Sequence, residues 1–325
     1  MNGYDKLPAP WRGWLKALDV QAPPVETRAN CARCVMCAEE DWTATRPESR
    51  YRPDTRCCTY LPSLWNFQVG GMLVDPETPA SAREALEARL ASGLGSPLGV
   101  ASAFEGDDRY HEMVAANGFG RSLAVRCPYF LPETGACGAW RYRNAVCATW
   151  YCRHDRGMIG LGYWSAIRRL LELMEVALGH RVMNALMPES DGQSWDGWDG
   201  TRVAYFKAAW QLASGLDPAV VLQDHPAEIE RILMFIRAGE RSHDDLRLPE
   251  KATFKDVTLV EELGPRVRVS GYNSNDTMLL PTTVFKVLEQ FDGRPIADVR
   301  EALADIGIHT DDVMVRRLID LDILR

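Results

Sequence analysis

The spacing of apolar residues predicts helices in the middle of the chain. Between residues 163 and 188, apolar side chains recur every three or four positions, which is the period of one helix face. Those side chains are Ile167, Leu170, Leu171, Met174 and Leu178. Pro188 ends the pattern, and two shorter helices with glycine stops are predicted over 202–215 and 227–239.

The first 160 residues predict an irregular region, because prolines and glycines interrupt every apolar run. Three short helices fit between the interruptions, over residues 11–19, 80–91 and 108–118. The second has the strongest pattern, since good helix formers fill it and a Gly- and Pro-containing stop follows it.

The last 70 residues carry a different pattern. Residues 266–280 predict two short strands around an Asn/Gly turn, and helical patterns follow over 281–293, 295–307 and 310–324. The apolar residues predicted to form the core are Leu280, Val284, Val287, Leu288, Ile296, Val299, Leu303, Val315, Leu318 and Ile319. Strands followed by three short helices favour a small α+β unit of the winged-helix type.

These patterns together predict a fold class and three regions. The fold class is mainly α, with an irregular cysteine-rich metal-binding region and a small α+β winged-helix-like domain at the C-terminal end. The regions are 1–160, a cysteine-cluster domain, 161–250, a helical region, and 251–325, the winged-helix-like module. The first boundary follows from the cysteines, because none occurs after Cys152.

Composition and charge narrow the classes of partner. Hydrophobic residues make up 46% of the 325 residues, enough for a core of normal size, and the net charge is -8. A negative chain is a poor match for nucleic acid or for anionic membranes, both of which require clustered positive charge. No stretch approaches the roughly 20 apolar residues of a membrane-spanning helix. The start of the chain carries no secretory signal pattern, so we expect a cytoplasmic protein with reduced thiols.

Nine cysteines in a reducing compartment require a chemical explanation. Cys31, Cys34 and Cys37 form a C-x2-C-x2-C run, and thiolates are soft ligands for zinc and for iron–sulfur clusters. Zinc sites more often use two well-separated C-x2-C pairs, so the spacing favours iron. The predicted cofactor is one or two [4Fe–4S] clusters, with structural zinc or simple burial of the thiols as the alternatives. The candidate ligands are Cys31, Cys34, Cys37, Cys57, Cys58, Cys127, Cys137, Cys147 and Cys152.

The second half of this set resembles a known family. The matching residues are Cys127, Pro128, Tyr129 and Phe130, then Cys137, Trp140, Arg143 and Cys147, with Cys152 in the place of a further cysteine. Residues 31–152 are in this way similar to the YkgJ-type cysteine-cluster family, described as zinc- or iron-chelating. The resemblance implies a bound metal, and some members of that family are described as flagellin lysine N-methylases. Asn144 stands where the family has proline, and Cys57-Cys58 is separated from the first run instead of fused to it.

Arginines accompany the later cysteines. Residues 121–156 contain six arginines opposed only by Glu133 and Asp155. Arg126 and Arg143 are the predicted cofactor-binding residues, because a guanidinium beside a cluster donates hydrogen bonds to sulfur. An anionic substrate or a solvated basic face would use the same residues, and His154 is a further candidate ligand or acid/base group. No known catalytic motif is present, so catalytic residues are not assigned.

The C-terminal segment resembles a second family, the small peptide-binding module typified by the pyrroloquinoline-quinone chaperone (PqqD-like). The resemblance rests on strands, a helix ending at the Asp292-Gly293 turn, a short helix and a final helix. It implies that residues 251–325 hold a peptide or protein partner by adding a strand to a sheet edge. DNA binding is disfavoured, since acidic residues outnumber basic ones by fourteen to ten over 250–325.

The sequence therefore leads to three functional hypotheses. The first is an iron–sulfur protein that modifies a peptide or protein recruited by the C-terminal module, as a methyltransferase-like or oxidoreductase-like enzyme. The second is an iron–sulfur redox or sensor protein without turnover. The third is a zinc-stabilised interaction protein.

Overall fold

The computed structural model describes residues 3–29, 34–37, 49–60, 62–102, 108–257 and 259–325. Helices make up about 48% of the structure and strands about 10%, so the mainly α fold class is confirmed. Within the described residues, every helix is either too short or too polar to cross a bilayer.

The described helices are mostly short, and the strands are shorter still. In chain order the helices are α1 (Ala9–Ala17), α2 (Asn66–Val74), α3 (Ala80–Ala91), α4 (Asp108–Ala115), α5 (Ala145–Thr149), α6 (Gly157–Leu186), α7 (Arg202–Ser214), α8 (Pro218–Val221), α9 (Pro226–Asp244), α10 (Thr282–Phe285), α11 (Ile296–Asp305) and α12 (Asp312–Asp320). The strands are β1 (Leu64–Trp65), β2 (Gly95–Ser96), β3 (Gly99–Val100), β4 (Phe130–Leu131), β5 (Ala136–Cys137), β6 (Lys251–Thr253), β7 (Leu259–Leu263), β8 (Arg266–Ser270), β9 (Met278–Pro281) and β10 (Asp292–Pro295).

The chain folds into two compact units, each assembled from separated segments. Unit 1 consists of 1–25, 51–150 and 164–236, and unit 2 consists of 26–50, 151–163 and 237–325. The division falls inside α6 and inside α9.

The core of unit 1 is built around α2, whose residues 66–73 are all buried. Helices α2 and α7 pack with almost no space between their backbones, because a Cβ built on Gly70 would lie 1.9 Å from the carbonyl oxygen of Phe206. Asn66 satisfies two carbonyl groups in this core, since its Nδ2 donates to Pro97 at 3.0 Å and to Gly179 at 2.9 Å. Buried polar groups are stable only when such partners exist.

Unit 2 contains a three-stranded antiparallel sheet in the order β7-β8-β9. Val267 lies opposite Leu280, and both are buried on the face that carries the hydrophobic core. Helices α11 and α12 cover that face with Val299, Leu303 and other residues. Eight of the ten predicted core residues are buried here, and Val287 and Ile319 pack partly buried against them.

The predicted elements are found with a few informative differences. The helix over 80–91 is confirmed at both ends, as are the two strands of 266–280. Helix α9 continues past Gly239, which is small because it packs against the ring of Tyr163, with Cδ2 only 3.0 Å from where a Cβ would lie. Gly239 therefore allows close packing against Tyr163 and does not end the helix.

The helix predicted over 281–293 was wrong in extent. Only α10 and a 3-10 turn at Leu288–Gln290 are helical, because the chain then leaves the helix to form β10. Asp292 pairs with Thr253 of β6, and the backbone N–H of Phe254 donates to the carbonyl of Phe291 at 2.6 Å. Pairing with a distant strand overrode the local pattern, and strand β7 was not predicted at all.

Candidate metal centre

Five of the nine cysteines belong to unit 1. They are Cys57, Cys58, Cys127, Cys137 and Cys147, which are called the unit 1 cysteines below. A backbone hydrogen bond joins the Cys57-Cys58 pair to Cys127, since the N–H of Cys127 donates to the carbonyl of Cys58 at 2.7 Å. Residues nearly 70 positions apart in sequence are thereby brought side by side.

The β4–β5 hairpin brings Cys137 back toward Cys127. Cys137 lies opposite Phe130 in the strand register, and the Phe130 N–H donates to the Cys127 carbonyl at 3.1 Å. The hairpin turns at Gly135, whose φ of 64° lies in the left-handed region that glycine adopts without strain. The sequence "PETGAC" thus fixes a turn that returns one cysteine to another.

Cys147 sits in the middle of α5, the five-residue helix that follows. Asn144 caps this helix, because its Oδ1 accepts the N–H of Cys147 at 2.9 Å. Asn144 stands where the family pattern has proline. In the structure it is the N-cap residue of α5, a position that asparagine commonly occupies. The backbone carbonyl of Cys147 accepts a hydrogen bond from Arg143 Nη1 at 3.1 Å.

The thiols of this group influence one another electrostatically. Burial raises the pKa of Cys127, and the neighbouring Cys137 and Cys147 raise it further. Burial also raises the pKa of Cys147, with added contributions from Cys137 and Cys57 against the lowering effect of Arg143. Four thiols, Cys57, Cys127, Cys137 and Cys147, are therefore close enough for each negative charge to oppose the next. A bound cation would relieve that repulsion.

The two predicted cofactor-binding arginines have different surroundings. Arg143 is buried and stacks on Trp140, with the guanidinium carbon 3.5 Å from the ring centroid. Arg126 lies 6.0 Å from the ring of Phe130, and its Nη1 donates to the carbonyl of Asp54 at 3.4 Å. Arg143 thus belongs beside Cys147, and Arg126 lies at the start of the β4–β5 hairpin.

The other described cysteines, Cys34, Cys37 and Cys152, belong to unit 2. Cys37 closes a turn by donating its N–H to the carbonyl of Cys34 at 2.9 Å, and the carbonyl of Cys152 accepts from Asn273 Nδ2 at 3.0 Å. Cys31 lies outside the described residues.

Two of the six clustered arginines serve the interior of unit 2. Arg153 Nε donates to the carbonyl of Asn275 at 3.1 Å, and Arg156 Nε donates to Asp320 Oδ1 at 3.2 Å. His154 is 1% exposed, and burial lowers its pKa to about 4. Its Nδ1 lies 3.4 Å from the hydroxyl of Tyr272. The arginine-rich sequence therefore does not form one basic face.

The fit of a metal to the unit 1 cysteines rests on donor chemistry. Within the described ranges, no three His, Cys, Asp or Glu side chains are placed so that together they would hold a metal ion. No disulfide joins any two of the eight described cysteines. The donors are nevertheless soft sulfurs, one buried and four half-buried, and such donors suit zinc or iron–sulfur chemistry.

One orphaned polar atom gives an independent indication. The hydroxyl of Tyr129 is buried and has no hydrogen-bond partner among the described residues. Burial raises the pKa of Tyr129, the charge of Arg89 lowers it, and charges on Cys127 and Cys137 raise it. The hydroxyl therefore lies near both thiols. An unpaired buried hydroxyl costs about 1–3 kcal/mol, and a thiolate or sulfide acceptor would remove that cost.

Sequence reasoning missed two residues that support Cys147. Glu175 and Gln68 are both buried, and Gln68 Nε2 donates to Glu175 Oε1 at 2.8 Å. A signal for Glu175 was present in the helical pattern, since it lies four residues after Leu171 on the apolar face of α6. A carboxyl at such a position requires a buried partner.

Comparison of the chain with protein-family models, with curated proteins and with solved structures finds no match.

Proposed function

We propose that this chain is a cytoplasmic iron–sulfur protein that takes part in modification of a peptide or protein. The unit 1 cysteines supply thiolate ligands, with Cys57, Cys127, Cys137 and Cys147 as the first set of four. The observation that carries the proposal is the placement of these four thiols close enough to raise one another's pKa, around Cys127, which is buried. The resemblance of residues 31–152 to the YkgJ-type family supports the same conclusion independently.

The group that would bind supplies electron transfer or Lewis-acid chemistry, and the protein residues set its surroundings. Arg143 places positive charge beside Cys147, which favours the thiolate over the thiol. Tyr129 contributes a buried hydroxyl without a described acceptor, suited to donate to sulfur. Burial of Cys127 keeps water away from its own thiol.

The peptide partner would dock on unit 2. Strands β7 to β9 followed by α11 and α12 support a winged-helix-like module of the PqqD-like kind. Strand β7 ends the described sheet, and an extended peptide is able to add to such an edge. Glu262 of β7 is exposed on the same face as Val267, so charge complementarity favours a basic peptide.

The decisive experiment on the cofactor is metal analysis of full-length protein purified without oxygen. We expect a coloured protein that contains iron and acid-labile sulfide, and Cys137→Ser is expected to lose both. Ala136→Ser is the matched control, because Ala136 is the exposed neighbour of Cys137 in β5. A colourless native protein with stoichiometric zinc would replace this proposal with a zinc-stabilised interaction protein.

Recruitment is tested on the same full-length protein. Lysine-rich and glutamate-rich peptides of equal length are added, and hydrogen exchange is followed in β7 and in the β4–β5 hairpin. We expect only the lysine-rich peptide to slow exchange in β7, and Glu262→Lys is expected to abolish that effect. Binding of neither peptide, together with no binding of S-adenosylmethionine, would favour a redox or sensor protein without turnover.

A further inference from the structure

Helix α5 carries Cys147 but is too short to be stable by itself. It has five residues, whereas isolated helices in water need about 12–15 residues to be even marginally stable. Its position must therefore be imposed by contacts from outside the helix. The Asn144 side chain caps the start of the helix, and its Nδ2 also donates to the carbonyl of Ser63 at 3.3 Å, so one long hydrogen bond ties the cap to another part of unit 1.

A second and shorter contact from outside the helix is made by Glu175 of α6. Glu175 Oε1 accepts the backbone N–H of Ala145 at 2.7 Å, and the side chain is 4% exposed. The same oxygen accepts Gln68 Nε2 at 2.8 Å. One carboxyl oxygen thus joins the first residue of α5 to α2 and to the long helix α6.

Gln68 is itself held on both ends of its amide. Its Oε1 accepts the N–H of Trp65 at 2.9 Å, and its Nε2 donates also to the carbonyl of Arg143 at 3.2 Å. Arg143 in turn donates to the carbonyl of Cys147. The residues that precede Cys147, and the Cys147 carbonyl itself, are therefore tied to a buried frame.

We infer that Glu175 is a positioning residue for Cys147: by holding the Ala145 N–H it fixes α5 and with it the sulfur that binds the metal. This inference rests on the proposed metal-binding function. Supporting residues that orient metal ligands typically change metal affinity by about 10–100-fold when they are removed.

The negative charge of Glu175 is not what the site uses. A charge on Glu175 raises the pKa of Cys147, which opposes formation of the thiolate. Both hydrogen bonds are accepted by one oxygen, and a glutamine side chain offers an oxygen at the same position. The acceptor and its reach are thus separable from the charge by substitution.

Three variants of the full chain test the inference. Glu175→Gln keeps the reach and the acceptor but removes the carboxyl group. Glu175→Met keeps the length without an acceptor, and Glu175→Asp keeps the carboxyl on a shorter side chain. We expect iron and sulfide content and the visible spectrum of Glu175→Gln to match the native protein. The Met and Asp variants are expected to release iron to a chelator about tenfold faster.

The outcomes separate this inference from the proposed function. Native protein without bound iron or zinc overturns the proposed function and the inference together. Native-like iron release from the Met and Asp variants, or loss of metal from Glu175→Gln alone, overturns only the role of Glu175. If the Met variant does not fold, amide exchange at Ala145 in the Gln and Asp variants decides, with protection expected only in the Gln variant.

Discussion

Arg317 donates from Nη2 to Oδ1 of Asp276 at 2.6 Å, and the side chain of Asp276 is completely buried in unit 2. Arg28 reaches the same carboxylate with two nitrogens, at 2.8 and 3.1 Å. The hydroxyl of Tyr272 donates to Oδ2 of Asp276. One aspartate thus joins the turn before β9, the last helix and a segment more than 240 residues earlier in the chain.

Asp276→Asn is expected to destabilise unit 2 by about 3 kcal/mol, because it removes the partner of two partly buried guanidinium groups. The measurement is hydrogen exchange over 266–281 in the native and variant proteins. Asp292→Asn is the matched control, since Asp292 pairs with Arg294 at the surface, where solvent screens the ion pair and its loss has little effect on stability. Equal protection in the two variants would contradict the central role of Asp276.

Tyr129→Phe is expected to have opposite effects on the metal-free and metal-bound proteins. Without metal, removing a buried hydroxyl that has no described partner should stabilise unit 1 by about 1 kcal/mol. With metal, the variant should lose a donor to sulfur and release iron faster. Urea unfolding followed by tryptophan fluorescence measures the first effect, because nine of the ten tryptophans lie in unit 1. A destabilised metal-free variant would mean that the hydroxyl has a partner after all.

Gly70→Ala is expected to destabilise unit 1 by about 3 kcal/mol or more. The added Cβ would overlap the Phe206 carbonyl, and both groups belong to buried helices that are unable to separate without losing core contacts. Gly13→Ala in α1 is the control, as its Cβ meets nothing within 4 Å. That substitution should stabilise by about 0.5–1 kcal/mol, because alanine favours the helix. Urea midpoints of the two variants are compared.

The stability of unit 2 is expected to fall with acidification below neutral pH. Burial lowers the pKa of His154 from 6.5 to about 4. Between these two pH values the unfolded chain binds a proton that the folded chain does not bind. Stability from this group is fully present above pH 6.5 and is lost as the pH falls toward 4, by about 3 kcal/mol in total. The charged groups near the ring are Asp155, Asp276 and Arg28, and the hydroxyl of Tyr272 lies 3.4 Å from Nδ1.

His154→Gln is the variant that checks this pH dependence. Hydrogen exchange over 266–281, recorded at pH 7 and pH 5 with correction for intrinsic exchange, should show a smaller loss of protection in the variant. His243, whose pKa burial also lowers, leaves part of the slope in place. An unchanged slope would mean that His154 is protonated in the folded protein.

The sequence by itself determined the features that depend on neighbouring residues. The apolar spacing from Ile167 to Leu178 gave a helix with its buried face, and those five side chains are buried as predicted. The apolar spacing over residues 280–319 likewise predicted eight of the buried core residues of unit 2. Cysteine content gave the candidate ligands, although iron–sulfur binding stays a prediction.

The tertiary structure alone decided which distant residues meet. Cys58 meets Cys127 through a backbone hydrogen bond, and Glu175 accepts the N–H of Ala145, across 69 and 30 positions of the chain. No local pattern encodes such pairs, since their free energy comes from burial and from hydrogen bonds formed only in the folded chain. The same reason explains β10, where a pairing with β6 outweighed a local helical pattern.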